Sequence, residues 1–328
     1  MLLAGDIGGT KTRLAIFASK TELRTPVLEG TLPSAHYPSL EALVEDFLSQ
    51  VSYPLSRACF GVAGPVIAGK AKVTNLPWNM DEGALAEALH VPVVYLLNDL
   101  YAMAHAVPFL EKDDLYTLNS GTAIPHGTMA VVAPGTGLGE GFLTWNSGRY
   151  TAHPSEGGHA DFAPTSSQEI ELLHYLFEKG FEHVSYEHVC SGIGLPNIYR
   201  FFHDCSGIAE LPEVTEALAT AKDLTPVIVK AAQDKDHPSA LCTQVLKMFM
   251  HILAGKCGNA ALSSLATGGI YIGGGIPPRL LSLFDGDGFM PAFQNKGRFK
   301  EMLRNMPVHI ILNSSPALLG AAYYGFDM

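Results

Sequence analysis

Two segments of this chain share one plan: an apolar strand, a turn of Gly and Thr, and a second strand running back. The first joins Leu2-Leu3-Ala4-Gly5-Asp6-Ile7 to Thr12–Phe17 through Gly8-Gly9-Thr10-Lys11. The second begins at Met129–Ala133, turns at Pro134-Gly135-Thr136-Gly137-Leu138-Gly139 and returns through Phe142–Trp145. Apolar runs on either side of a Gly pair read as β-hairpins. Their repetition implies an internal duplication. β-rich runs at Ala58–Val62 and Val91–Leu97, with a helix expected at Asp81–Leu89 between them, argue for an α/β sheet.

The remaining pattern is mostly helical. Pro38–Val51 carries one apolar face and a capping Ser39. Ser166 and Glu169 spell a capping box ahead of Ile170–Phe177. Leu241–Ala266 is apolar but contains Lys247, His251, Lys256 and Asn259, so it reads as a buried helix and not as a membrane span. Ser315 and Pro316 start a last helix running through Tyr324. Asp204–His237 is polar and weakly patterned, and reads as a peripheral region. A length of 328 residues suggests two domains.

The net charge of −11 disfavours a duplex nucleic-acid binder, which needs a basic face. It leaves a nucleotide site open, because backbone N–H groups hold phosphates without many cations. Five dispersed cysteines without a CxxC pair imply a reducing compartment. Asp6 interrupts the first apolar run, which argues against a signal peptide.

A third Gly cluster, Gly273-Gly274-Gly275, follows the apolar run Gly269–Ile272. Any one such turn is explained by the backbone freedom of Gly. Three of them, two with a Thr hydroxyl, favour phosphate cradles, where successive N–H groups form a concave donor site. Two standard alternatives fail. A dinucleotide fingerprint beginning at Gly135 would need Gly at position 140, which is Glu140. Gly64–Lys70 has Walker A spacing, but Ala71 follows and has no hydroxyl for Mg²⁺. Asp6 either shapes its turn or holds Mg²⁺ through water beside a triphosphate. Lys11 either reaches a phosphate or is solvated.

Asn98-Asp99 ends a buried-looking strand, a place for catalytic carboxylates but also a common helix cap. Glu156-Gly157-Gly158-His159 has Glu-x-x-His spacing, yet two glycines argue against a metal-binding helix. A loop with a carboxylate and an imidazole suits sugar hydroxyls, which need both donors and acceptors. Glu187 taken alone reads as a solvated surface residue.

The ordered series of motifs resembles the bacterial-type glucokinase family of the sugar kinase, heat-shock protein and actin superfamily, over nearly the whole chain. Its anchors are Gly5–Thr10, Thr74-Asn75, Asn98-Asp99, Gly135–Gly139, Glu156–His159, Glu187 with Ser191-Gly192, Gly273–Pro277 and Lys296–Phe299. The resemblance implies a two-domain ribonuclease H-like α/β fold of the actin and hexokinase type. A small α/β domain would span 1–110 plus about 302–328, a larger α+β domain 111–301, with a cleft between them. It implies that Asp99 takes the proton from the sugar 6-hydroxyl, and that Asn75, Asn98, Glu156, His159 and Glu187 bind the other hydroxyls. Asp6, Gly8, Gly9, Thr10, Lys11, Gly135, Thr136 and Gly137 would bind ATP, with Mg²⁺ near Asp6. Gly274 and Gly275 would border the adenosine.

The product would be glucose 6-phosphate for glycolysis, made by a cytoplasmic homodimer without nucleic-acid or membrane partners. No zinc is expected, because Ala160–Thr165 lacks the Cys-rich motif of the related repressor and kinase family. The competing reading is a sugar-responsive, non-enzymatic regulator on the same fold. It would require an added DNA-binding module, and the acidic charge speaks against it.

Overall fold

The computed structural model describes residues 1–49, 53–73, 76–286 and 288–328. Val51, Thr74 and Asn75, all named above, lie outside the described residues. The chain divides into two compact units: Met1–Asp114 with Asn146–Pro154 and Asn313–Met328, and Leu115–Trp145 with Ser155–Leu312.

The first unit is built on β1 (Leu2–Ile7), β2 (Lys11–Phe17), β3 (Leu28–Pro33) and β4 (Arg57–Val62). The short strands β5 (Val66–Ile67), β6 (Lys70–Lys72) and β7 (Asn79–Asp81) form a separate small sheet, and β8 (Val94–Asn98) completes the main one. Its order is β3-β2-β1-β4-β8, with β1, β4 and β8 parallel and β1-β2-β3 antiparallel. β1 and β4 are buried on both faces, which is why they read as near-continuous apolar runs. β3 alternates half-buried and exposed residues, as suits an edge strand.

Three helices follow the sequence signals closely. In α1 (Leu40–Leu48) Ser39 Oγ accepts from Ala42 N–H, and in α2 (Glu82–Ala88) Asp81 accepts from Ala84 N–H. α3 (Asp99–Ala106) starts at Asn98. The C-terminal helix, Pro316–Asp327, packs on α3 and β1 through small residues, among them Ala317, Ala321 and Ala322.

In the second unit four strands repeat the first unit's arrangement of a hairpin followed by two parallel strands. β9 (Leu115–Asn119), β10 (Met129–Pro134) and β11 (Leu138–Asn146) come first, and β12 (Arg149–Ser155), nearly all of which belongs to the first unit, follows in the chain. β13 (Gly269–Ile272) and β14 (Val308–Ile311) follow. The order β11-β10-β13-β14-β9 matches β2-β1-β4-β8 with one added antiparallel edge. The duplication expected from two hairpins therefore extends to the strands beyond them.

Around this sheet stand α4 (Ser167–Glu178), α5 (Leu195–Cys205), α6 (Pro212–Thr220), α7 (Thr225–Ala232) and α8 (Ala240–Ser264), with three shorter helices before β14. α8 is buried along most of its length, in keeping with its apolar sequence. Two expectations need refinement. The region 204–237 is mostly exposed or half-buried, as a peripheral segment would be, but it is ordered: α6 and α7 occupy it and bury Val214 and Ile228 in the core. Both helices are short, so their periodicity covers too few turns to stand out. The capping box at α4 is only half formed. Ser166 Oγ accepts from Glu169 N–H, but the Glu169 carboxylate accepts from Thr165 N–H and pairs with His251 on α8.

Gly320 faces α3 so closely that a Cβ there would overlap the carbonyl oxygen of Ala102. Backbone cannot yield as a flexible side chain can. Gly320→Ala is therefore expected to destabilise the protein by about 2 kcal/mol or more, read as a fall in the urea midpoint. Ala321→Gly, a smaller change on the same helix, provides the comparison.

Candidate active site

The first unit brings Asp6, Asn98 and Asp99 together. Asp6 sits near the end of β1, in register with Arg13 on one side and Gly61 on the other. Arg13 is held by Ser314, donating to its carbonyl oxygen at 2.7 Å, and by the Ser315 hydroxyl. Burial pushes the Asp6 carboxyl up to about 6, the Asp99 carboxylate pushes the same way, and Arg13 opposes both. The adjoining turn is cross-braced: Gly8 N–H donates to Lys11 O at 3.1 Å and Ser34 Oγ donates to Gly8 O at 2.7 Å. Thr10 and Lys11 are exposed.

Both readings of Asn98-Asp99 hold at once. Asn98 is the cap of α3, its Oδ1 accepting from Leu100 N–H at 3.0 Å and Tyr101 N–H at 3.1 Å. Its Nδ2 donates to Gly64 O and to Asp99 Oδ1, each at 3.1 Å. Asp99 Oδ1 also accepts from Leu100 N–H at 2.9 Å. Burial raises the Asp99 carboxyl above its ordinary value, and these donors restrain the rise. The result is a carboxylate fixed in orientation and more basic than a surface one.

Asp6 and Asp99 form a pair whose mutual repulsion a divalent cation would relieve. Mg²⁺ fits such a place, since it keeps several waters and needs only one or two carboxylates. Among the described residues no cluster of three or more His, Cys, Asp or Glu has metal-binding geometry.

The second unit gathers the other predicted residues around the start of β11. In the hairpin turn Gly135 N–H donates to Gly137 O at 2.9 Å. Gly192 N–H reaches Gly135 O at 2.8 Å and Ile193 N–H reaches Thr136 O at 3.2 Å. Gly274 has φ +84°, and a Cβ there would overlap the Pro134 carbonyl, so this Gly is required both by conformation and by space. Gly275 follows, beside Ile276, whose N–H donates to Pro134 O at 3.3 Å.

Glu156, His159 and Glu187 converge. Gly157–His159 form one 3-10 turn. His159 Nε2 lies 3.8 Å from Glu156 Oε2, and its Nδ1 lies 3.9 Å from Glu187 Oε1. These separations are too long for good hydrogen bonds and leave the three groups able to turn to hydroxyls. Glu187 is not the solvated residue that its sequence setting suggests. Its side chain is 18% exposed, and Oε2 accepts from Leu138 N–H at 2.8 Å.

Sequence reasoning missed one wall. A cavity of about 480 Å³ beside Gly275 is lined by Thr225, Val229, Lys230 and Gln233 of α7 and the adjoining residue, together with Ile276 and Arg279. Thr225 Oγ1 donates to Gly192 O at 2.6 Å, which ties this wall to the Gly135 turn. The available signal was Thr225-Pro226, a helix start inside the weakly patterned region.

The strand order of each unit, a hairpin followed by parallel strands, is that of the ribonuclease H-like, actin-type fold. A family model described as Glucokinase matches residues 3–328. The chain is 41% identical to a glucokinase of Nostoc sp. over 338 aligned positions covering 98% of each chain, and 35% identical to one of Synechocystis sp., covering 98% of this chain and 96% of the other. A solved glucokinase from an Antarctic psychrotroph superposes with TM-score 0.86 at 32% identity, covering 100% of this chain and 99% of that one. The chain belongs to the glucokinase family.

The raised Asp6 carboxyl has a consequence for stability. The unfolded chain titrates Asp near 3.9, below the folded value of about 6. The stabilising contribution is therefore whole below about pH 4 and is lost as pH rises through 6. In metal-free protein, Asp6→Asn is expected to raise unfolding free energy by on the order of 2 kcal/mol at pH 8 and to change it little at pH 4. Urea titrations at both pH values measure this, and an equal shift at both would refute it.

Proposed function

We infer that the chain transfers the γ-phosphoryl group of ATP to the 6-hydroxyl of glucose, with Asp99 as the base. Membership of the glucokinase family supports the reaction. The oriented, buried carboxylate of Asp99 is the observation that supports the residue assignment. A base must accept the hydroxyl proton as the bond to phosphorus forms, and a raised carboxyl pKa favours that acceptance. The Asn98 and Leu100 donors fix one carboxylate oxygen, so the group meets the hydroxyl without first reorienting.

Asn98, Glu156, His159 and Glu187 are assigned to the remaining hydroxyls, with acceptor carboxylates on either side of an imidazole that both donates and accepts. Asn75 is assigned with them from the sequence motif. The turns Gly8-Gly9-Thr10 and Gly135-Thr136-Gly137 are assigned to the ATP phosphates, Lys11 to the first of them, and the cavity beside Gly274 and Gly275 to the adenosine. Its volume suits a nucleoside-sized ligand. Asp6 would hold Mg²⁺, which supplies charge neutralisation on the phosphates when bound. The remaining catalysis is positioning and electrostatics from the residues named.

The same reading makes the chain a cytoplasmic homodimer that feeds glycolysis. Among the described residues no helix is long and apolar enough to cross a membrane.

A coupled assay across hexoses and phosphoryl donors tests the reaction. Glucose-dependent ATP consumption is expected, and its absence across the panel refutes the proposal. Asp99→Ala is expected to lower kcat by roughly 10²-fold or more while the protein stays folded. Near-wild-type turnover in that variant would remove Asp99 as the base.

A further inference from the structure

We propose that Lys256 and Glu140, neither of which is expected to touch substrate, form a buried ion pair that positions the Glu156–His159 turn for sugar binding. This rests on the assignment of Glu156 and His159 to the sugar. Lys256 lies on α8, a 25-residue helix buried along most of its length, and is only 4% exposed. A lysine is rarely so buried without a partner. Its Nζ stands 2.5 Å from Glu140 Oε2 and donates to the carbonyl oxygen of Gly157 at 2.8 Å. Glu140 belongs to β11, two residues beyond Leu138, and its side chain is 13% exposed.

One ammonium therefore joins the sheet, through Glu140, to the backbone of the turn that carries Glu156 and His159. The turn has no Cβ at its centre to pack with. A Cβ on Gly157 would overlap the Glu140 carboxylate, and one on Gly158 would overlap the Leu138 carbonyl oxygen. The two glycines let the turn settle onto β11, and Lys256 then supplies a charged donor that holds it there. Tyr186 flanks the ammonium with its ring face, Lys256 Nζ lying 4.9 Å from the centroid. Asn259, one helical turn along α8, donates to the Tyr186 hydroxyl at 2.7 Å.

A buried pair of this kind is poor evidence for stability as such, because desolvation offsets much of the attraction. Its geometric effect is direct, since displacement of a binding group by about 1 Å is enough to cost large factors in activity. Glu156 and His159 are themselves mostly exposed, at 89% and 59% of their side chains, so the packing of those side chains does little to place them. Their backbone must, and Lys256 holds its middle.

The test is steady-state kinetics with the full-length protein. Lys256→Met with Glu140→Gln removes both charges together and so avoids leaving one buried alone. This double variant is expected to raise the glucose KM about tenfold or more, while the ATP KM stays within about twofold. Lys256→Arg, which keeps the charge, is expected to recover part of the glucose KM. Unchanged glucose KM in the double variant, or equal losses for glucose and ATP, overturns the proposal. If the double variant does not fold, Glu140→Asp, which keeps both charges and shortens the reach, must still raise the glucose KM selectively, and a normal value overturns the proposal. Glu156→Gln measured alongside separates the two readings. If it leaves the glucose KM unchanged, the sugar assignment of the turn fails first. If it raises that KM and the pair variants do not, only the positioning role fails.

Discussion

The backbone of Leu138 anchors the loops that converge on β11 in the second unit. Its N–H donates to the Glu187 carboxylate, and its carbonyl oxygen lies against Gly158 closely enough to exclude any side chain there. Gly137, one residue earlier, is also pressed against Glu187. One strand end thus sets the phosphate-type turn before it, the Glu156–His159 turn beside it and the carboxylate that bonds to it. Gly158 is the condition for that approach, since a Cβ there would collide with the Leu138 carbonyl oxygen, while a Cβ at Gly137 or Gly157 would displace the carboxylate of Glu187 or Glu140.

The first unit meets a different constraint, which is charge. Two carboxylates, Asp6 and Asp99, are brought to the ends of β1 and β8, where burial raises both. Arg13, the cap donated by Asn98 and the first amides of α3 restrain that rise without removing it. Both carboxyls are thereby held above their ordinary values with donors or a cation fixed beside them. Arg13 is itself fixed by Ser314 and Ser315 at the start of the C-terminal helix, so the last segment of the chain supports the first.

Much of this is legible in residue order. The two hairpins, the helices capped by Ser39 and Asp81, and the buried helix ending near Ala266 all carry local signals: period, cap or turn chemistry. The reading failed where the signal was not local. Glu187 looks like any surface glutamate until the fold places Leu138 N–H beside it. Glu169 spells a capping box, but His251 and Thr165 are better partners for its carboxylate. α7 is too short to show its period, although it lines the cavity beside Gly275. Lys256 stood out as a charge within an apolar helix, yet its partner lies far away in the sequence.

The sequence by itself determined the duplicated hairpins, the Gly turns and the Asn98-Asp99 strand end, because strand period and turn conformation are set by neighbouring residues. Together with the order of the motifs it was enough to point to the glucokinase family. Only the tertiary structure decided which carboxylates are perturbed, which glycines are compelled by a neighbour and which lysine holds the Glu156–His159 turn. Those depend on desolvation, close approach and long-range pairing, which arise when segments far apart in the chain are packed together.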